Sequence, residues 1–307
     1  MSLSRRDLLK IGVVGGAACT LPAAMEAKEH AITAPPNAVG MLYDSTKCIG
    51  CKSCVVACAQ ANDLAPDTTL DSLHQAPNDL NAHTKNIIKL YKGEGANPSE
   101  YAFVKRQCMH CLDPFCVAAC PFHALEKDKQ TGVVSWTSDR CIGCRYCQIA
   151  CPYEIPKFEW DAFNARVVKC EFCGQRLEKN QEPACTYVCP THAVIFGRRD
   201  VLLSEAQKRV KEHPDKYFEN RVYGEKEAGG TQVLYLSHVA YSKLGLPTLP
   251  AGEHPERWMR WSELAQKWFL LPIALYVGIV GKLKENFREH EVEMNEEHKK
   301  TGLIPQI

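Results

Sequence analysis

The sequence carries almost no net charge. Its 37 lysines and arginines are met by 36 aspartates and glutamates, giving +1 at pH 7, so nothing in the charge asks for nucleic acid as a partner. There is no G-x-G-x-x-G and no P-loop, which leaves a nucleotide or flavin site without support. No uninterrupted apolar run reaches the roughly 20 residues that a bilayer-spanning helix needs; the longest, Trp268 to Gly281, has 14. What the chain does have is cysteine, 17 in 307 residues.

Sixteen of the seventeen fall into four quartets: Cys48, Cys51, Cys54, Cys58; Cys108, Cys111, Cys116, Cys120; Cys141, Cys144, Cys147, Cys151; and Cys170, Cys173, Cys185, Cys189. The third, C-I-G-C-R-Y-C-Q-I-A-C-P, has the bacterial ferredoxin spacing. Three of the quartets end in Cys-Pro, and the first departs with Ala59. Disulfides are the ordinary use of cysteine in an exported protein, but close C-x-x-C-x-x-C triplets are poor partners for one another. Zinc needs only two C-x-x-C pairs, and the recurring third cysteine exceeds that need. A cubane cluster uses it, because three iron corners meet three thiolates from one tight loop. Sixteen ligands imply four 4Fe-4S clusters. Every set is complete, so no iron is left open for substrate, and the expected role is electron transfer without catalysis.

In two-cluster ferredoxins the fourth cysteine of each run ligates the other cluster. Applied here, the expected sets are Cys108/Cys111/Cys116/Cys151 and Cys141/Cys144/Cys147/Cys120 for the inner pair. The outer pair would be Cys48/Cys51/Cys54/Cys189 and Cys170/Cys173/Cys185/Cys58. Cys151→Ser is then expected to disturb the cluster of the second quartet. An internal echo supports paired modules: Pro121-Phe122-His123-Ala124-Leu125 after one quartet and Pro190-Thr191-His192-Ala193-Val194 after another.

The remaining segments complete the expected organisation. Ser4-Arg5-Arg6-Asp7-Leu8-Leu9-Lys10 and the Gly- and Ala-rich run after it read as a twin-arginine signal over 1–27, with cleavage after Ala24 or Ala27. Such a signal suits a protein that receives clusters while its thiols are reduced and crosses the membrane folded. Cys19, inside the signal, stands outside the quartets and lacks an apolar residue three positions earlier, so it is not read as a lipidation site. A four-cluster domain is expected over 40–200, with an insert over 59–107 that closes in two strands, Ile87–Tyr91 and Tyr101–Val104. His74 and His83 in this insert are read as solvated. Strand, turn and strand are expected as Phe122–Leu125, Lys127–Gly132 and Val133–Trp136, with Gly132 at the return. A helix is expected from Ser204 to about Lys211, within a docking extension over 201–260. Widening the apolar run to 264–283 predicts a transmembrane anchor, with Lys282, Lys284 and Arg288 on its cytoplasmic side and 284–307 as a tail.

The four-quartet arrangement resembles the ferredoxin subunits of membrane oxidoreductases such as DMSO reductase, formate dehydrogenase and nitrate reductase. Gly40-Met41-Leu42-Tyr43-Asp44-Ser45-Thr46, Gln107-Cys108-Met109-His110-Cys111 and Gly224-Glu225-Lys226-Glu227 with Gly229–Leu234 narrow it. Together with the two end segments they make the chain similar to the HybA-type iron–sulfur subunits of membrane-bound NiFe hydrogenase-2. The resemblance implies an α+β fold of two ferredoxin-like modules with insertions, plus the C-terminal transmembrane helix. It implies a periplasm-facing subunit at the inner membrane. The hydrogenase large and small subunits would give it electrons, and a multi-span quinone-reducing membrane subunit would take them. The same relay in a formate, nitrite or sulfur-compound enzyme is the alternative, and a zinc-bearing scaffold protein the remote competitor.

Overall fold

The computed structural model describes residues 33–65, 77–93, 101–160, 166–250, 275–289 and 292. The signal over 1–27, Cys19 and His74 lie outside the described residues. The chain divides into Met1–Ala31 and Ile32–Ile307, and every element that follows belongs to the second unit.

Strand β1 (Val39–Asp44) leads into the first cysteine loop and helix α1 (Ser53–Ala61). Strands β2 (Asn86–Tyr91) and β3 (Ala102–Gln107) form an antiparallel hairpin, which delivers the chain to Cys108. Helix α2 (Phe115–Ala118) follows, then the hairpin β4 (Leu125–Lys127) and β5 (Val134–Trp136). Its turn is tied by Asp128, whose Oδ1 accepts from the backbone of Gln130 and Thr131, at 3.1 and 2.6 Å. Gly132 takes the left-handed conformation that the return requires (φ 73°). Next come α3 (Tyr146–Ala150), the short hairpin β6 (Lys157–Phe158) and β7 (Val167–Val168), and helices α4 (Gly174–Leu177) and α5 (Ala184–Tyr187). Strand β8 (Val194–Arg198), helix α6 (Arg199–Glu212) and strand β9 (Val233–Leu236) close the series.

The largest sheet runs β8-β1-β9, with β1 antiparallel to β8 and parallel to β9. Side chains alternate between its faces, as a pleated strand requires. Met41 and Tyr43 of β1, with Val233 and Tyr235 of β9, enter the core that also holds Cys54, Cys108, Cys111, Cys170 and Cys185. Leu42, Leu234 and Leu236 face the other way, onto Leu202, Ala206 and Val210 of α6. Residues 201–250, expected as a docking extension, therefore supply one strand and one covering layer of the principal sheet.

The echo after the quartets has a structural counterpart. His123 and His192 share a left-handed backbone of φ 50°. Each donates its N–H to the cysteine three residues back, Cys120 at 3.3 Å and Cys189 at 3.2 Å. The two cysteine–proline returns are copies of one local turn.

Two expectations are corrected. Helix α6 starts five residues before Ser204, because Asp200 lies in the first turn, where a carboxylate favours the positive helix end; Ser204 sits inside, its Oγ donating back to the Asp200 carbonyl at 3.0 Å. The transmembrane part of the expected fold class is also overturned. Among the described residues, no helix is long and apolar enough to cross a membrane. The helix over 275–289 rises only about 22 Å and carries Lys282, Lys284, Glu285, Arg288 and Glu289, charges that a bilayer core disfavours. The upstream part of the expected anchor, 264–274, lies outside the described residues.

Candidate iron–sulfur centres

The first and third quartets share one loop geometry. Gly50 and Gly143 both have φ 70°, and the residues directly after the second cysteine, Lys52 and Arg145, are also left-handed (φ 57° and 65°). Two left-handed residues so close together curl the backbone around a concave space. Gly50 is doubly required, since a Cβ there would meet the Phe103 ring at 2.2 Å. A helix then begins, α1 or α3, with the third cysteine in its first turn.

The fourth cysteine of every quartet follows the third by four residues: Cys54 and Cys58, Cys116 and Cys120, Cys147 and Cys151, Cys185 and Cys189. Each short helix carries the third thiol, and the fourth comes one turn on, within α1 and just past the ends of α2, α3 and α5. The helices pack in pairs, α1 on α5 and α2 on α3. Each pair therefore brings a fourth cysteine beside the other helix's loop.

The cavities record the outcome. One hollow, termed A, is lined by Cys48, Cys51, Cys54 and Cys189. Another, C, is lined by Cys108, Cys111, Cys116 and Cys151. A further one, D, is lined by Cys120, Cys141, Cys144 and Cys147. Each hollow is ringed by three thiols of one quartet and one of another, as one recurring guest would need. The other four thiols, Cys58, Cys170, Cys173 and Cys185, form set B, for Cys58 feels Cys185 and Cys173, and Cys170 feels Cys58 and Cys185.

The sets are also ordered. Cys54 of A feels Cys185 of B, Cys170 of B feels Cys108 of C, and Cys116 of C feels Cys147 of D. The sequence of neighbours is A, B, C, D. Only Cys51 and Cys144, in the two terminal sets, are exposed; sets B and C hold buried or half-buried cysteines alone. Exposed apolar side chains rim both ends, Ile49 and Val56 beside A, and Phe122, Ile142, Tyr146 and Ile149 beside D. Arg145 also lines D, its guanidinium 3.5 Å over the Trp160 ring.

The donor chemistry fits a multiply charged metal group. Burial, and then the neighbouring thiols, push Cys147 and Cys54 up to about 12 and Cys111 and Cys170 well above the ordinary thiol range. Burial likewise raises Cys58 and Cys151 to about 11. Four thiolates converging on one dry hollow repel one another, and only a cationic centre reverses that balance. All sixteen are free thiols. Among the described residues, no three Cys, His, Asp or Glu side chains close on a point as a single ion requires. The sets surround space, which suits a cubane better than zinc. Hydrogen bonds reach several sulfurs, among them Cys120 Sγ from the Ala124 N–H at 3.2 Å, Cys58 Sγ from Asn62 Nδ2 at 3.7 Å, and Cys189 Sγ, 3.9 Å from Thr191 Oγ1. Such bonds adjust cluster potentials.

Three buried residues beside the thiols are not visible in the cysteine pattern. Lys105 lines hollow A and Lys169 lines hollow C, both wholly or nearly wholly buried. His110 stacks on Phe172 at 3.9 Å and accepts the Val134 N–H at Nδ1. A lysine one to three residues ahead of the first cysteine of a quartet, at Lys169 and Lys105, was the nearest signal, and Lys47 before Cys48 shares it without being buried. The expected solvated histidine His83 is exposed.

Residues 47–124 and 99–199 each match a 4Fe-4S dicluster domain. The chain is 36% identical to the Hydrogenase-2 operon protein HybA of Escherichia coli O157:H7, over 96% of this chain and 99% of that protein. It is 35% identical to the Formate dehydrogenase-O iron-sulfur subunit of Escherichia coli strain K12, over 85% of this chain and 90% of that subunit. The nitrate-inducible formate dehydrogenase iron-sulfur subunit of the same strain is 37% identical, over 66% and 69% respectively. The chain thus belongs to the HybA family of electron-transfer iron–sulfur subunits, whose cysteines hold 4Fe-4S clusters.

Proposed function

We propose that this chain holds four 4Fe-4S clusters in the order A, B, C, D and relays electrons from a hydrogenase to a quinone-reducing membrane subunit. The observation that carries this reading is the run of four complete thiol sets with exposed cysteines only at its two ends. When bound, the clusters supply one-electron chemistry. The protein's own part is to fix sixteen thiolates, to keep water from sets B and C, and to offer partners an apolar rim at A and at D. The hydrogenase direction is favoured by the near-complete coverage of the HybA relative. A formate-type enzyme is the second reading, favoured by the formate dehydrogenase subunits at similar identity.

Co-purification separates the two. A NiFe large and small subunit beside this chain supports the first; a molybdopterin enzyme beside it supports the second. Metal analysis tests the cluster count, about sixteen iron and sixteen labile sulfide per chain, and abundant zinc without sulfide would sink it. We further propose export through the twin-arginine route. Replacing Arg5 and Arg6 by lysine is expected to leave the folded protein in the cytoplasm, and undiminished export of that variant would refute the signal.

A further inference from the structure

Lys105 lies in β3 with its side chain 0% exposed. Among the described residues no carboxylate pairs with it, and the hydrogen bond it makes goes to Gln107 Oε1. Gln107 is itself held, its Nε2 lying 3.2 Å from Met41 Sδ. An isolated ammonium in such a place is costly unless an opposite charge meets it. Its side chain lines hollow A beside Cys54, and its charge also couples to Cys185, Cys170 and Cys58 of set B.

Lys169 offers the internal comparison. It is also buried, but it donates to the carbonyls of Val134 and Cys170, and the Glu171 carboxylate lies within reach of its charge. Its facing thiols are Cys108 and Cys116, both of set C. Lys105 has no comparable acidic neighbour among the described residues, and its thiols come from two sets.

We propose that the Lys105 ammonium is the fixed counter-charge shared by centres A and B, raising the reduction potential of both. The inference rests on the four-cluster reading above. One-electron reduction adds one negative charge to a centre, and a buried cation nearby favours that reduced form. Lys105 is a positioning residue for charge and does not itself ligate.

The test is an EPR-monitored potentiometric titration of the cluster-loaded protein, with A and B assigned as the signals lost in Cys51→Ala and Cys173→Ala. Lys105→Met is expected to lower the equilibrium constants for reduction of A and of B at least tenfold, a fall of 59 mV for a one-electron couple. Centres C and D should stay in place. Lys105→Arg should keep the wild-type potentials. Gln107→Glu, which sets a carboxylate against the same ammonium, should lower the same two centres and serves if the methionine variant loses its clusters. Unshifted potentials in both variants, or an equal shift of all four centres, would overturn the proposal. So would loss of all clusters in Lys105→Met and Gln107→Glu beside a normal Lys105→Arg, which would make the lysine a folding residue. Four signals in the wild type with no shift in the variants reject this inference alone. A wild type lacking four signals rejects the cluster count beneath it.

Discussion

Cys151 stands at the end of α3, the helix of the third quartet, yet it lines the hollow of Cys108, Cys111 and Cys116. Removing it therefore asks which centre it serves, and iron content answers through pairs of substitutions. Removal of one ligand is taken to empty its centre, so each single variant Cys111→Ala, Cys144→Ala and Cys151→Ala is expected to fall from about sixteen iron to about twelve. If Cys111 and Cys151 share hollow C, the double variant Cys111→Ala/Cys151→Ala stays near about twelve, because the second loss finds the centre already gone. Cys144 lines hollow D, so Cys144→Ala/Cys151→Ala falls to about eight. Membership by sequence order predicts the reverse pair of values. Iron and labile sulfide on purified protein, with the EPR signals counted beside them, decide it. About eight iron in Cys111→Ala/Cys151→Ala, with about twelve in Cys144→Ala/Cys151→Ala, would refute the grouping.

Gly50→Ala places a Cβ within 2.2 Å of the Phe103 ring at a left-handed position; a cost of about 1–3 kcal/mol is expected, read as selective loss of the centre A signal on mild heating. Asp44 is wholly buried and accepts from Thr46 N–H and Oγ1, Tyr217 and Arg209, at 3.1, 2.6, 3.1 and 3.4 Å. Asp44→Ala strands those donors and should cost about 3–5 kcal/mol, seen as a lower temperature of cluster bleaching; an unchanged midpoint would count against it. Asp79 ties Lys157 at 2.9 Å and Arg106 at 3.7 Å. Burial pushes its carboxyl up, but Lys157 and Arg106 outweigh that and hold it below the usual range. Its stabilisation is thus present above about pH 4 and lost as pH falls through the lowered folded value. Asp79→Asn should cost at most about 1 kcal/mol at neutral pH, since the site is partly exposed, and nothing in acid. A penalty that grew with acidity would contradict the pairing.

The cysteine quartets are legible because ligand spacing is local: a four-residue step from third to fourth cysteine is written in the sequence and needs no tertiary knowledge. The hairpins at β2–β3 and β4–β5 were legible for the same reason, each with its own apolar runs or turn residues. The parallel pairing of β1 with β9 was not, for it joins Met41 to Val233 and nothing near either residue announces the other. Lys105 was hidden by type, since lysine in a strand ordinarily faces water and here faces thiols. The membrane anchor was overread from composition. The residues from Leu275 to Val280 are apolar, but the helix continues through Lys282, Lys284 and Glu285 before a span's length is reached.

Two of the apolar cores depend on the clusters to different degrees. The layer between the sheet and α6 is built from Leu42, Leu202, Ala206, Val210, Tyr217, Val222, Leu234 and Leu236, with no cysteine among them. The core beside hollows C and D is Leu125, Val134, Phe158 and Val167 together with Cys116 and Cys147. Four apolar side chains are a small core, and the hollows beside them are cavities when nothing fills them, which is destabilising in proportion to the volume left. Thiols raised by burial must also lose their protons to bind metal, so filling the hollows and folding this region are one equilibrium. Iron depletion by chelation should therefore raise amide exchange through 115–158 and 166–168 while 199–212 and 233–236 stay protected. Exchange that rises equally in both regions would refute the division. A chain whose sheet layer folds by itself but whose conducting half closes only around its clusters reaches its final shape only after they are inserted, the order required of a protein that the proposed twin-arginine route exports already folded.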